Sequence, residues 1–178
     1  MIQWAINEFG MKPNLKISVH TGSDKFSLYP GIGQIVRDLN AGLHLKTAGT
    51  TWLEELIGLA EGGGEGLQIA KAIYRSAYAM YDELVAPYAD VIDIDQAALP
   101  SPDEVDGWTS EQYADALRHD QSNPAFDLNV RQLLHVGFKL AAKMGQRYLD
   151  ALDTYRSDVE RNVTENLYER HLRPLFVA

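Results

Sequence analysis

Two short segments near the start of the chain alternate between apolar and polar residues. In residues 15–20 the odd positions are aliphatic and the even positions are polar, ending at His20. The alternation returns in residues 43–46, where His44 and Lys46 are the polar members. Because successive side chains of a strand point to opposite faces, the pattern predicts two strands, each with its polar residues on one face.

A helix is predicted after each strand. Residues 30–39 carry apolar side chains at helical spacing. A second helix is predicted over residues 52–60, because Thr51 and Glu54, three residues later, form a pair typical of a capping box. Two strand–helix units in succession predict a parallel sheet. Functional residues of such folds gather at the carboxyl ends of the strands, where His20 lies.

The rest of the chain is predicted to be mainly helical. The glycine run in residues 62–66 predicts a flexible connector, since glycine disfavours regular structure. Apolar periodicity predicts helices over residues 70–84 and 130–155, and Thr109, with a glutamine three residues later, predicts a helix N-terminus. Residues 91–94 fit either a third strand or an extended connection.

Asn162 and Glu165 form one more helix-start signature before the end of the chain. These elements predict an α/β protein with two or three parallel strands and a helix-rich C-terminal half. We expect one domain over residues 1–178, with the strand–helix units in residues 1–61 and mainly helix in residues 67–178.

Composition narrows the class of protein. The 178 residues are 46% hydrophobic and 23% charged, as in a soluble globular domain. The formal net charge of -9 and dispersed basic residues argue against a nucleic-acid partner. The chain has no cysteine, which leaves His, Asp and Glu as the strong metal ligands. No apolar run is long enough to span a membrane and no basic flank marks a signal sequence, so we expect no membrane partner and a cytoplasmic location.

Several stretches resemble the tagaturonate epimerase family, whose members interconvert the sugar acids tagaturonate and fructuronate. They are VHTGSDKFSLYP (19–30), LHLKTAGT (43–50), LRHD (117–120), QLLHVG (132–137) and NVTENLYERH (162–171). The resemblance implies a metal-dependent (β/α)8-type barrel. Family members are much longer than this chain, which resembles only their C-terminal part.

The chemistry implied by the resemblance inverts a hydroxyl-bearing carbon that is β to a ketone. Removing a proton next to the ketone does not reach that carbon, whereas retro-aldol cleavage and re-addition does. An enediolate then forms, which a divalent cation, Zn or Mn, can stabilise.

The resemblance also implies roles for residues near the strand ends. His20 is expected to bind the metal, with other ligands upstream of this chain. Asp24, Lys25 and Lys46 are the expected catalytic residues. Expected substrate contacts are His44 and the turn that precedes the second predicted helix, where the N-terminus of that helix would bind the carboxylate. The turn residues in this group are Thr47, Gly49 and Thr50.

Each candidate also has a structural interpretation. His20 or His44 could simply be hydrogen-bonded within the fold, Lys46 could pair with a carboxylate, and Asp24 could form an Asx-turn. Three other polar residues, His119, Asp120 and His135, are expected to be stabilising. The alternative function is therefore a non-catalytic α/β binding or interaction module.

The expected partner of the site is a small sugar acid. Two strands cannot close a barrel, which typically needs more than about 200 residues. We therefore expect either a missing N-terminal segment or a homo-oligomer in which another copy covers the open strand edges.

Overall fold

The computed structural model describes residues 2–20, 24–47 and 50–177, apart from the side chains of Gln3 and Thr50. The chain divides into two compact units. Unit 1 comprises Met1–Thr50 together with Thr164–Ala178, and unit 2 comprises Thr51–Val163. The expectation of one domain over residues 1–178 stays a prediction.

Unit 1 contains both strands. Its elements are α1 (Ile2–Phe9), β1 (Lys16–His20), a 3₁₀ turn (Phe26–Leu28), α2 (Tyr29–Asp38), β2 (Gly42–Lys46), a π-helix (Glu165–Leu172) and α12 (Arg173–Phe176). The strands pair in parallel, and α2 connects them. The two predicted strands are confirmed. Among the described residues they are the only strands, and they form no barrel.

Helix α2 packs closely on α12 within unit 1. Pro30 lies in the first turn of α2, where its missing N–H group leaves no hydrogen bond unmade. A Cβ atom on Gly33 would lie 2.3 Å from the carbonyl oxygen of Pro174 and 3.0 Å from that of Leu175. Only glycine therefore permits this close approach of the two helices.

The regular elements of unit 2 are all helical among its described residues. Its helices are α3 (Thr50–Gly62), α4 (Gly64–Ala79), α5 (Tyr81–Val85), α6 (Pro102–Asp106), α7 (Ser110–Leu117), α8 (Leu128–Val136), α9 (Phe138–Met144), α10 (Gln146–Thr154) and α11 (Arg156–Thr164), with 3₁₀ turns at Ala86–Tyr88 and Gln96–Ala98. The hydrophobic core of this unit runs from Trp52 to Ala151 and includes Leu56, Ile73 and Leu134. The predicted capping box at Thr109 is confirmed, with hydrogen bonds in both directions to Gln112.

Segment 91–94 is not a strand. Its neighbourhood is irregular, and the backbone N–H groups of Asp93 and Asp95 donate to the side chains of Gln132 and Asn129 at 2.8 and 2.9 Å. These donors are thus satisfied by helix α8 instead of by a sheet. Of the two alternatives left open by the sequence, the extended connection is correct.

The predicted connector at residues 62–66 is a tight corner. Only Gly63 separates α3 from α4, and both Gly63 and Gly64 have positive φ angles, +71° and +48°. Glycine adopts this left-handed conformation without the steric cost that a Cβ atom imposes. The run therefore lets one helix end and the next begin with a single residue between them.

Three further predictions need correction. Helix α3 begins at Thr50, so Thr51 lies inside the helix and is not its N-cap. The expected long helix over residues 130–155 is divided at Gly137 and Gly145 into α8, α9 and α10. Asn162 lies within α11 and is buried, so it does not start a new helix.

Among the described helices, none combines the length and apolar character that a membrane crossing requires.

Candidate active site

The polar residues of β1 and β2 lie next to each other on one face of the sheet. In the parallel register Ser18 is paired with His44, and His20 is paired with Lys46. Paired residues of adjacent strands point to the same face, so the two predicted polar faces form one continuous surface. Ser18, His20, His44 and Lys46 are all exposed.

His44 is held by a neighbour on this face. Its Nδ1 atom lies 3.2 Å from the Ser18 Oγ atom, within hydrogen-bonding distance. A partner on one ring nitrogen fixes the orientation of the imidazole and leaves Nε2 directed to the other side. The arrangement suits a ring that contacts a ligand through Nε2.

The two imidazoles are close enough to contact one small molecule. A strand spacing of about 4.8 Å and a rise of about 3.3 Å per residue put the Cα atoms of His20 and His44 about 8 Å apart. Lys46 lies directly beside His20 in the register. The face therefore places two imidazoles and an ammonium group within reach of one another, and all three can bind or exchange protons with oxygen atoms.

The opposite face of the sheet is apolar and incompletely covered. It carries Ile17, Val19, Leu43 and Leu45; Ile17 is 41% exposed and the other three are half-buried. Parallel sheets are normally buried on both faces. The polar character of the other face is therefore unusual for a parallel sheet, as expected of a binding surface.

Asp24 does not share this exposed face. Its side chain is 1% exposed, and its Oδ1 atom lies 3.5 Å from His171 Nε2, an atom of a side chain that is 0% exposed. Asp24 also has a positive φ angle of +44°. The neighbouring Lys25 is exposed, and its backbone N–H donates to the Tyr29 hydroxyl at 3.1 Å.

The predicted substrate-binding turn is only partly described. Thr47 is half-buried and directly follows β2. Gly49 and the side chain of Thr50 lie outside the described residues. The described backbone makes Thr50 the first residue of α3 and so places it inside the helix, not in the turn before it.

The charge of the chain is unevenly divided between the units. Unit 1 has seven basic residues (Lys12, Lys16, Lys25, Arg37, Lys46, Arg170, Arg173) and five acidic ones (Glu8, Asp24, Asp38, Glu165, Glu169). Unit 2 holds the other nine basic and twenty acidic residues, out of totals of 16 and 25. The polar face thus lies in the unit with a positive balance, which favours an anionic ligand.

The described residues do not form a metal site by themselves. Among them, no three His, Asp or Glu side chains gather as a metal ion requires. The register partner of His20 is the cation Lys46, which would repel a divalent ion. The described part of the face offers a metal no carboxylate beside the imidazole of His20.

The spacing and type of residues in the sequence did not single out His171 or Asn166. Both are buried, and His171 Nδ1 lies 2.7 Å from the Asn166 carbonyl oxygen on the π-helix. The stretch NVTENLYERH contains both residues, so the family resemblance was the available signal.

His119 and His135 lie in unit 2, where His119 stacks on Phe126 at 5.5 Å between ring centroids.

Comparison with known proteins gives a consistent result. A profile described as tagaturonate epimerase matches residues 7–175. The tagaturonate/fructuronate epimerase of Thermotoga maritima is 33% identical over 125 residues, which cover 69% of this chain and 22% of that protein. The chain thus spans about a fifth of the length of the curated relative it matches. No solved structure matches it. Because the profile covers nearly the whole chain, the chain belongs to the tagaturonate epimerase family.

Proposed function

We propose that the polar face of β1 and β2 is part of the site at which a tagaturonate/fructuronate epimerase binds and converts its sugar acid. The observation that carries the proposal is the register that pairs Ser18 with His44 and His20 with Lys46 on one exposed face. The family of the chain and the similarity to an enzyme named for this reaction support the same substrate class.

The reaction that best suits these residues is retro-aldol cleavage followed by re-addition. A base takes the proton of the β-hydroxyl, the bond between the α- and β-carbons breaks, and its electron pair forms an enediolate with the ketone. The aldehyde so formed presents its other face, the carbon–carbon bond forms again, and the oxygen regains a proton. Electrons and atoms balance without an oxidant or a reductant.

The exposed side chains can share these tasks. The Lys46 ammonium group can stabilise the negative oxygen of the enediolate, since a cation placed where charge develops lowers the barrier. The His44 imidazole, oriented by Ser18, is suited to bind a substrate hydroxyl or exchange its proton. Lys25, five residues after His20, is a second candidate for proton exchange. We place Thr47, Gly49 and Thr50 at the substrate carboxylate.

A divalent cation, zinc or manganese, is an additional part of the proposal. A bound cation would act as a Lewis acid on the substrate oxygens. His20 would supply one imidazole ligand, and the other ligands would have to come from a different polypeptide segment. If a second copy of the chain supplies those ligands, zinc or manganese raises the melting temperature of the chain, and His20→Ala abolishes that rise. An equal rise in both proteins would exclude His20 as a ligand.

The sheet also offers a place for assembly. Parallel strands are rarely left with open edges, and β1 and β2 pair only with each other among the described residues. We propose that a second copy of the chain covers an edge, so that the chain is a homo-oligomer. Sedimentation over a range of concentrations would show a dimer or larger species; a monomer throughout would refute this part of the proposal.

The site itself is best tested by binding and by turnover in parallel. Tagaturonate is added to the chain labelled with ¹⁵N, and the amide signals of His20, His44 and Lys46 are followed. We expect these signals to shift together, whereas Lys16, on the same face at the far end of β1, shifts much less. Equal shifts at Lys16, or none at saturating ligand, would refute the site.

Turnover is measured as fructuronate formed from tagaturonate. We expect Lys46→Ala to lower the rate by about 100-fold, the magnitude typical of removing a group that stabilises the transition-state charge. Lys16→Ala is the matched control and should leave the rate within about twofold. Binding without any product above the buffer blank would favour the alternative, a non-catalytic binding module.

A further inference from the structure

A buried histidine and a buried aspartate meet inside unit 1. The Asp24 Oδ1 and His171 Nε2 atoms are 3.5 Å apart, and their side chains are 1% and 0% exposed. Asp24 lies four residues after the end of β1, whereas His171 lies on the π-helix near the end of the chain. The pair therefore joins the segment that follows β1 to a distant part of the sequence.

The hydrogen bond at Nδ1, the other nitrogen of the His171 ring, shows which nitrogen carries the proton of the neutral imidazole. His171 Nδ1 is 2.7 Å from the carbonyl oxygen of Asn166. A carbonyl oxygen only accepts, so Nδ1 must donate and therefore carries a proton. The remaining ring nitrogen, Nε2, faces the carboxylate oxygen of Asp24.

A bare Nε2 lone pair against an ionised carboxylate would be repulsive in a buried site. A second proton between the two groups removes the repulsion. On Asp24 it would give a neutral pair, and on Nε2 it gives an imidazolium beside a carboxylate, with Nδ1 still donating to Asn166. Hydrogen bonding to the charged form of a group and an opposite charge beside it both favour that form. The contacts on the two nitrogens are therefore consistent with a ring protonated at both.

Aromatic rings hold the imidazole in this position. Its centroid lies 5.1 Å from that of Phe26 and 5.2 Å from that of Tyr29. The Arg170 guanidinium carbon lies 3.7 Å from the Phe26 centroid, a cation–π contact on the same cluster. The Tyr29 hydroxyl accepts from the Lys25 backbone N–H, so the cluster also fixes the residue next to Asp24.

We propose that His171 is a positioning residue that anchors Asp24 and Lys25 through a doubly protonated imidazole. Asp24 then serves as the anionic half of a buried ion pair, and its carboxylate acts on the site through the backbone it fixes. This assignment replaces the direct proton transfer by Asp24 expected from the family resemblance. It rests on the proposed function only for the claim that the fixed segment borders an active site.

Protonation of the ring can be measured without any substrate. The chain is labelled with ¹⁵N-histidine, and ring nitrogens are correlated with ring protons near neutral pH. The His171 signal is identified by its absence in His171→Gln. We expect both of its nitrogens to be of the protonated type. One bare nitrogen in the folded chain would overturn the proposed ion pair.

The anchoring of the Lys25 segment can be measured by the rate of hydrogen exchange of the Lys25 backbone amide, with the Leu39 amide as a reference. Leu39 N–H donates to the Ile35 carbonyl at the end of α2, within the same unit. In His171→Gln the side-chain amide takes the position of Nε2 and can still donate to Asp24. In His171→Asn the amide takes the position of Nδ1 and reaches only the backbone carbonyl.

We expect His171→Asn to speed Lys25 exchange by about tenfold relative to Leu39, as local opening does, and His171→Gln to leave the ratio nearly unchanged. Equal acceleration of both amides in both variants, or no acceleration at all, would refute anchoring by the Asp24 contact.

The role in the reaction is a separate measurement. If the polar face is the active site, His171→Asn lowers kcat for tagaturonate and His171→Gln restores most of it. If the wild-type chain is inactive, the proposed function fails while the exchange and protonation results still decide the anchor. If the wild type is active and the two variants have equal kcat, the anchor has no part in the reaction.

Discussion

Replacing Glu61 by glutamine is expected to destabilise unit 2 substantially. Glu61 lies in the last turn of α3 and accepts hydrogen bonds from three side chains: Arg118 Nη2 at 2.5 Å, Arg161 Nη2 at 2.8 Å and Asn162 Nδ2 at 2.7 Å. Arg118 also donates to the Asn162 side-chain oxygen at 2.9 Å. One carboxylate therefore ties α3 to the end of α7 and to α11.

The magnitude follows from what glutamine can replace. Its oxygen can still accept from Arg118, but as a neutral group, and the loss of charge assistance costs about 1 kcal/mol. Its NH₂ group then faces Asn162 and Arg161, which are both donors, so one bond is lost for about 1 kcal/mol more. Arg161 is 56% exposed, and its share is close to zero because water replaces the contact. The expected total is about 2 kcal/mol.

The effect should depend on pH with a definite sign. Burial, the largest single influence, raises the pKa of Glu61, but hydrogen bonds from Asn162 and Arg161 and the charge of Arg118 together lower it below its ordinary value. A carboxyl group with a lowered pKa in the folded state stabilises the fold above its unfolded pKa. That stabilisation is lost as the pH falls through the folded pKa. The difference between wild type and Glu61→Gln should therefore be largest near neutral pH and shrink in acid.

The assay is urea denaturation followed by tryptophan fluorescence. Trp4 lies in unit 1 and is 59% exposed, whereas Trp52 and the third tryptophan lie in unit 2. A Trp4→Phe background therefore reports on unit 2 alone. The matched control is Glu65→Gln, because the Arg147 that binds Glu65 is 55% exposed and the pair should contribute less than about 0.5 kcal/mol.

Two results would refute this reasoning. Equal stability changes in Glu61→Gln and Glu65→Gln would mean that the partly buried network contributes no more than a surface ion pair. A Glu61→Gln effect that stays constant from neutral to acid pH would mean that the ionised carboxylate is not its source.

Three other substitutions test separate features. Gly33→Ala should destabilise unit 1 by about 2 kcal/mol, because its Cβ atom clashes with the carbonyl oxygens of α12. Gly31→Ala has open space around its Cβ position and should stabilise α2 slightly. Hydrogen exchange of the α2 amides would report both changes, and equal effects would contradict the close approach of α2 and α12. Burial raises the pKa of Glu55. The Tyr148 hydroxyl donates to this carboxylate at 2.9 Å and partly offsets the rise, so Tyr148→Phe should raise the Glu55 pKa further in a carboxyl NMR titration. An unchanged or lower pKa would refute the hydrogen bond. Thr109→Ala removes the capping box of α7 and should cost about 1 kcal/mol in urea denaturation; a change near zero would refute its contribution.

The strands and their polar face were predictable because their pattern is local. Each strand alternates within five residues, and the connecting helix fixes a parallel pairing. The pairing of His20 with Lys46 depends on register, which the alternation narrows but does not determine. The family resemblance selected these residues as candidates.

The burial of Asp24 was not predictable from its neighbourhood in sequence. It depends on contact with His171, which lies at the opposite end of the chain, and on a positive φ angle that aspartate adopts more readily than most residues. The breaks at Gly137 and Gly145 were hidden for another reason. Helices α8, α9 and α10 all contribute apolar residues to one core, so the helical periodicity continues across the bends.

The division of the chain has a consequence for the order of folding. Unit 2 is continuous and rich in local helical contacts, so it can fold as soon as its own residues have left the ribosome. Unit 1 is discontinuous, because its strands are synthesised before unit 2 and its π-helix afterwards. The histidine that meets Asp24 is therefore translated after all of unit 2, and its contact with the segment that follows β1 cannot form before then.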